Sequence, residues 1–354
     1  MLLRLQCRPR PLLALSRSFA AAPVKPVDDA VAARRQQSIY YARLTRKYPA
    51  QLGSLSMEAV DRTARFLTNR GLNQTQALRA ISRHVLITGY SQKMMESKIE
   101  WMSNLGLSHG KINDVLARHP VILGCSFEKL EAIIQWFISH GVPEQKSSYL
   151  INVFPEVAAF SMAKLDEKVD VLKELGCNDD QVARILTMAP RVLGYSVEKI
   201  QTNVDYLEEM GVPPEHIPAI MARVPQFLGL KTSRIKETMD AVEEMFGDGA
   251  GVMALVGNSR ILMHNISEIR RAYNYLRSIG FTKERLKQCT RFVMRNENRI
   301  LRPRVKFLEA KGVNVVANSS WILMPEGRFI ERYSDYAVYL IQYKAQLKKK
   351  KKQM

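Results

Sequence analysis

Glycine recurs along this chain at Gly71, Gly106, Gly141, Gly176 and Gly211, always 35 residues apart. Proline keeps the same step at Pro120, Pro155, Pro190 and Pro225, and serine keeps it at Ser91, Ser126, Ser161 and Ser196. Three columns in one register are the mark of a repeat architecture, in which a unit too small to bury its own apolar face is covered by the next copy. Length alone, 354 residues, would suggest two globular domains. The period argues instead for a single continuous stack.

Each unit reads as two helices with a turn between them. In the stretch from Leu107 to Gly141, a first apolar face (Ile112, Val115, Leu116) stops at His119-Pro120. Proline removes a backbone donor and biases its predecessor away from the α region. Val121-Ile122-Leu123-Gly124 then turns the chain, and Ser126 is placed to cap a second helix. Phe127, Leu130, Ile133, Ile134 and Phe137 form one face of that helix. Gly141 closes it, supplying the left-handed residue needed just past a helix end. Seven such units run from about 72 to 312, after a worn one from Tyr48-Pro49 to Gly71. Gly247, Gly280 and Gly312 close the last three, where Ser259 and Arg291 occupy the proline column, as Val85 does in the first. Five residues before the closing glycines lie Phe66, Trp101, Trp136, Val171, Tyr206, Val242, Tyr275 and Phe307, a column expected to pack in the core.

A 35-residue helical period also suits pentatricopeptide repeats, but their proline follows the closing glycine closely, as only Pro143 and Pro213 do here. The column proline lies 14 residues after the glycine and leads into an apolar run and a serine, as in Pro120 to Ser126 and Pro190 to Ser196. This pattern resembles the mitochondrial transcription termination factor (mTERF) family. So does the ending, Ile300-Leu301-Arg302-Pro303-Arg304-Val305 before Phe307-Leu308, then Phe329-Ile330-Glu331-Arg332-Tyr333. The resemblance covers about 40–340. It implies an all-α helical-repeat solenoid, a left-handed superhelix of seven to eight units of two α-helices and a short 3₁₀ segment. It also implies an organellar protein that binds DNA or RNA.

Charge is distributed unevenly. The net charge is +19, yet residues 28–279 carry only about +2. Residues 1–27 carry five basic residues (Arg4, Arg8, Arg10, Arg17, Lys25) and no acid, with leucines between them and Ser16-Arg17-Ser18-Phe19-Ala20-Ala21 as a cleavage candidate. This is the character of an organellar transit peptide, addressing the mitochondrial matrix or, alternatively, a chloroplast. Residues 28–343 are expected to form the repeat domain, and 344–354 a basic tail whose Lys348–Lys352 run is disordered and adds non-specific attraction.

The densest basic segment holds Lys283, Arg285, Lys287, Arg291, Arg295, Arg299, Arg302, Arg304 and Lys306 against Glu284 and Glu297, a net +7 in 24 positions. Such crowding is relieved by a polyphosphate, whose condensed counterions are released on binding. A second candidate follows from the period. Lys129, Lys164, Lys199 and Arg234 stand nine residues after the proline column, one per unit, and would align as a stripe in the first turns of their helices. A cation there is mildly disfavoured by the helix dipole, and a bound phosphate would justify it. Arg83, Arg118 and Arg223, two residues before the proline column, form a patchier set.

No cofactor, metal or catalytic constellation is expected. The sequence has no His-Glu-x-x-His, phosphate-loop or dinucleotide fingerprint, and Cys7, Cys125, Cys177 and Cys289 form no Cys-x-x-Cys. Gly247-Asp-Gly-Ala-Gly251 reads as a turn, and His84 and His119 as structural residues beside the helix stop. No apolar run is long enough for a transmembrane helix. The expected partner is double-stranded mitochondrial DNA, bound to regulate transcription, including its termination. Ribosomal RNA, bound in ribosome assembly or RNA processing together with a protein partner, is an alternative. A purely protein-binding scaffold is another.

Overall fold

The computed structural model describes residues 56–353. The expected transit peptide, residues 1–27, and the start of the worn unit at Tyr48-Pro49 lie outside them. Among the described residues every regular element is helical. No helix among the described residues is long and apolar enough to cross a membrane.

Seven full units follow the helix Met57–Asn69, and each has a first helix, a 3₁₀ turn and a second helix. We number them 1 to 7 by their closing glycines, Gly106, Gly141, Gly176, Gly211, Gly247, Gly280 and Gly312. Unit 2 is representative, with helices His109–Arg118 and Phe127–Ser139 around the 3₁₀ turn Pro120–Gly124. The three residue columns act as expected. Ser91, Ser126, Ser161 and Ser196 each accept a hydrogen bond from the backbone N–H three residues on, and so cap the second helix. The closing glycines all have positive φ, from +69° at Gly312 to +104° at Gly280. The residue before the turn is held near φ −140° at His119 and Ala189, where proline follows. Asn258 adopts nearly the same conformation with Ser259 in the proline's place, so the stacked neighbours impose it even without the ring.

Unit 7 corrects the expected register. Its 3₁₀ turn is Thr290–Phe292, so Thr290 and not Arg291 stands in the proline column. A π-turn, Glu297–Leu301, then precedes the helix Arg302–Ala310. A π-turn takes in one additional residue, which restores the phase by Gly312. Units 3 and 5 differ at the start: a 3₁₀ turn after Pro143 or Pro213 replaces the first helical turn.

Stacking joins like to like in units 1 to 3 and in units 4 and 5, with first helices against first helices and 3₁₀ turns against 3₁₀ turns, while the second helices of units 1, 2, 4 and 5 pack on the next unit's 3₁₀ turn. One continuous core results, from Val60 to Tyr336. In the aromatic column Phe66, Trp136, Val171, Val242 and Phe307 are buried, while Trp101, Tyr206 and Tyr275 pack half-buried against the core. Two of its indoles also tie units together: Trp101 Nε1 donates to Glu131 at 2.6 Å and Trp136 Nε1 to Asp166 at 2.7 Å.

Beyond Gly312 the turn Ser319–Ile322 and the helices Glu326–Arg332 and Tyr336–Gln353 cover the open end of the stack. Phe307, Phe329 and Tyr336 meet there, with ring centroids 4.6 to 6.3 Å apart. The segment expected as a disordered tail is instead helical in backbone, continuing the last helix to Gln353.

Candidate nucleic-acid interface

The arginines two residues before the proline column sit in the last turn of their helices, where the dipole favours a cation. Each reaches the next unit. Arg83 donates to the Ala117 and Arg118 carbonyls at 2.9 and 3.0 Å, Arg118 to Asn152 O at 2.7 Å, and Arg223 to Val256 O at 2.8 Å. They therefore satisfy orphan carbonyls at the end of the following first helix. Arg223 remains exposed.

The expected stripe is in register but is not a free row. Lys199 donates to Leu230 O and to Asn203, and Arg234 donates to His264 O at 2.7 Å with Glu237 3.6 Å away. Carbonyls of the next unit, and not a phosphate, offset the dipole penalty at these two positions. Lys164 is exposed, its Nζ lying 4.9 Å from the Phe160 ring centroid, and Lys129 is half-buried.

The dense basic segment divides. Arg304 leaves the candidate surface: it is 1% exposed, donating to Trp321 O at 2.7 Å, Met324 O at 2.8 Å and Glu326 at 2.7 Å. Arg302 pairs with Glu297 and stacks 4.6 Å from the Tyr275 ring. Arg285 donates to Ser319 Oγ, and Lys306 lies 5.7 Å from the Tyr343 ring. Lys283 is half-buried, with its Nζ near Gly247, and Arg299 is exposed. Lys287, Arg291 and Arg295 turn towards unit 6.

There they meet arginines from other columns. A cleft of about 430 Å³ is lined by Arg184 of unit 4, Arg223 of unit 5, Arg260 of unit 6, and Arg291 and Arg295 of unit 7. Asn258, Ser259, His264, Met294 and Leu323 complete much of its wall, and no carboxylate lines it. Arg184, Arg223, Arg260 and Arg291 are exposed. Arg295 is held in place by donating to Ile322 O and Leu323 O. Burial, then the neighbouring Arg304 and Arg291, lower its pKa from the usual guanidinium value. Burial also lowers the pKa of His264, against an opposing pull from Glu268. Crowded, partly desolvated guanidiniums suit an anion with several oxygens, because each offers a planar fork of donors.

Arg184 and Arg260 did not stand out in the sequence. Arg184 lies six residues before Pro190, as Arg79 does before Val85, and Arg260 one residue after Ser259, as Arg191 does after Pro190. Those short columns were the available signal. Two histidines beside the helix stop make structural contacts: His84 bonds the Tyr90 hydroxyl at 2.7 Å and His119 meets Glu156 at 2.7 Å. Burial pushes the Cys177 thiol up to about 11. Gly247 to Gly249 forms the expected turn, with φ +91° at Gly247 and +72° at Gly249, while Ala250 and Gly251 begin the helix Ala250–Asn258. No group of three or more His, Cys, Asp or Glu among the described residues could hold a metal ion.

A family model described as mTERF matches the chain over residues 29–208 and again over 101–317. No curated protein matches it.

Proposed function

The chain belongs to the mTERF family, and from that premise we propose that it is a nucleic-acid-binding protein of the mitochondrial matrix, and not an enzyme. It binds double-stranded mitochondrial DNA to regulate transcription, including termination. The observation that carries the reading is the five-arginine cleft without a carboxylate, built where units 4 to 7 meet. Arg184, Arg260 and Arg291 contact phosphate directly, while Arg223 and Arg295 are positioned by the carbonyls they bond. Arg299 and Lys287 extend the basic surface nearby.

The alternative target is ribosomal RNA, favoured by the near-neutral body of residues 28–279 and the lysine-rich end of the last helix. A chloroplast address is the alternative localisation. Crosslinking in purified organelles, with sequencing of bound DNA and RNA, separates the targets. Recovery of neither nucleic acid would leave a protein-binding scaffold. In vitro, log K should fall with log salt by about 0.9 per phosphate engaged on duplex DNA and about 0.7 on a single strand. Combining Arg184→Gln, Arg260→Gln and Arg291→Gln should flatten that slope by about three contacts' worth. An unchanged slope in the folded variant moves the interface elsewhere.

A further inference from the structure

The cleft gathers more positive charge than a passing strand needs. A diester backbone presents one negative charge per phosphate, spread along its length. Here five guanidiniums from units 4, 5, 6 and 7 converge on one bounded volume of about 430 Å³, with no acid among its lining residues. Volumes of this size hold small ligands. Ser259 lines it too. That residue is 1% exposed, and its hydroxyl oxygen has no hydrogen-bond partner among the described residues. Its oxygen is closed to solvent as well, so it lies behind the cleft's wall and not in a ligand's path.

A second space opens beside the first. A slot of about 230 Å³ has Ala250, Met253 and Ala254 on an apolar wall and Lys287 on the other side, and it shares Gly257, Asn258 and Arg291 with the cleft. An anion in the cleft therefore has room beside it for a flat, weakly polar group, joined across Asn258 and Arg291.

We propose that this site receives the 5′-triphosphate group of a nucleoside, with the phosphates in the arginine cleft and the nucleoside in the adjoining slot. Such a terminus concentrates several negative charges on one short chain, as the crowded arginines require. Forked guanidinium donors match its oxygens. The source is either the unprocessed 5′ end of a transcript or a free nucleoside triphosphate. This inference rests on the reading of the cleft as the nucleic-acid interface and, because a 5′-triphosphate ends a transcript and not a DNA duplex, it sits with the RNA target.

The test uses the full chain and one short RNA sequence bearing a 5′-triphosphate, 5′-monophosphate or 5′-hydroxyl. Affinities are read by fluorescence anisotropy at fixed salt, with inorganic tripolyphosphate, ATP and GTP as competitors. The triphosphate RNA should bind about tenfold or more tighter than the hydroxyl RNA, equivalent to about 1.4 kcal/mol, and tripolyphosphate should compete. Arg260→Gln and Arg291→Gln should each remove most of the preference. An RNA end that binds far more tightly than ATP or GTP identifies the transcript as the ligand, and equal binding identifies the free nucleotide. Equal affinity for all three RNAs, with no binding of tripolyphosphate, overturns the proposal and leaves the nucleic-acid interface standing. Tripolyphosphate binding by a chain that holds neither DNA nor RNA keeps the anion site and removes the nucleic-acid reading.

Discussion

Replacing Arg304 by methionine separates a structural arginine from a phosphate-binding one. Methionine keeps an unbranched apolar stem in the space beneath Phe329, whose ring lies 4.3 Å from the guanidinium. It abandons the bonds to Trp321 O and Met324 O, which hold the turn Ser319–Ile322 and the start of Glu326–Arg332 against unit 7. A hydrogen bond to a charged group contributes about 1.5–3 kcal/mol, and the half-exposed Glu326 arm adds less than about 1 kcal/mol. Because the methionine packs well, the expected loss is about 3–4 kcal/mol. In a stack, each unit contacts only its neighbours. The loss should therefore appear first in the C-terminal cap, as amide exchange in 319–332 accelerated by roughly a hundredfold or more, while units 1 to 4 keep their protection. Nucleic-acid affinity should change little where the cap stays folded. If Arg304→Met has wild-type exchange and urea stability yet loses binding, the assignment is wrong and Arg304 is a contact residue after all.

Gly141→Ala should cost about 1–2 kcal/mol from its φ of +80° alone. A clash adds to this, because the new Cβ would stand 2.8 Å from Ala183 Cβ; urea denaturation measures the sum, and an unchanged midpoint counts against the packing described. His264 gives a pH signature in two parts. Its folded pKa lies below the unfolded value of about 6.5, so the unliganded fold is fully supported above pH 6.5 and weakens as pH falls through that value and then the lower folded one. Binding runs the other way, since a protonated ring adds a cation among Arg184, Arg260 and Arg291. Affinity should rise as pH drops below about 6.5, and His264→Gln should remove that rise when titrated at constant ionic strength.

How much could be read in advance depended on whether a feature is local. Ser126, Pro120 and Gly141 each solve a backbone problem within one unit, as cap, stop and left-handed closure, and their columns placed the helices correctly. The register of unit 7 was harder. Thr290 takes the proline's place without resembling it, and the π-turn that absorbs the additional residue has no compositional mark. The basic segment misled because density along the chain says nothing about which way a side chain faces. Arg304 is buried where unit 7 meets the cap, and Arg302 is committed to Glu297. Arg184 and Arg260 stand 76 positions apart. Only stacking through units 4 to 6 makes them neighbours, so the cleft exists in no single repeat.

A row of buried positions in the second helices has a mechanical meaning. Asn203 donates to Phe227 O and Leu228 O, and Arg304, at the corresponding position of unit 7, to Trp321 O, each side chain clasping the 3₁₀ turn that follows its unit. Ile133 and Ala272, the corresponding residues of units 2 and 6, have no donor with which to do so. The steps after them are held without that clasp. One of those two joints, between units 6 and 7, carries Arg260 on one side and Arg291 and Arg295 on the other. An anion gripped across it would act as a removable bolt, stiffening the rod at a step that has no such clasp.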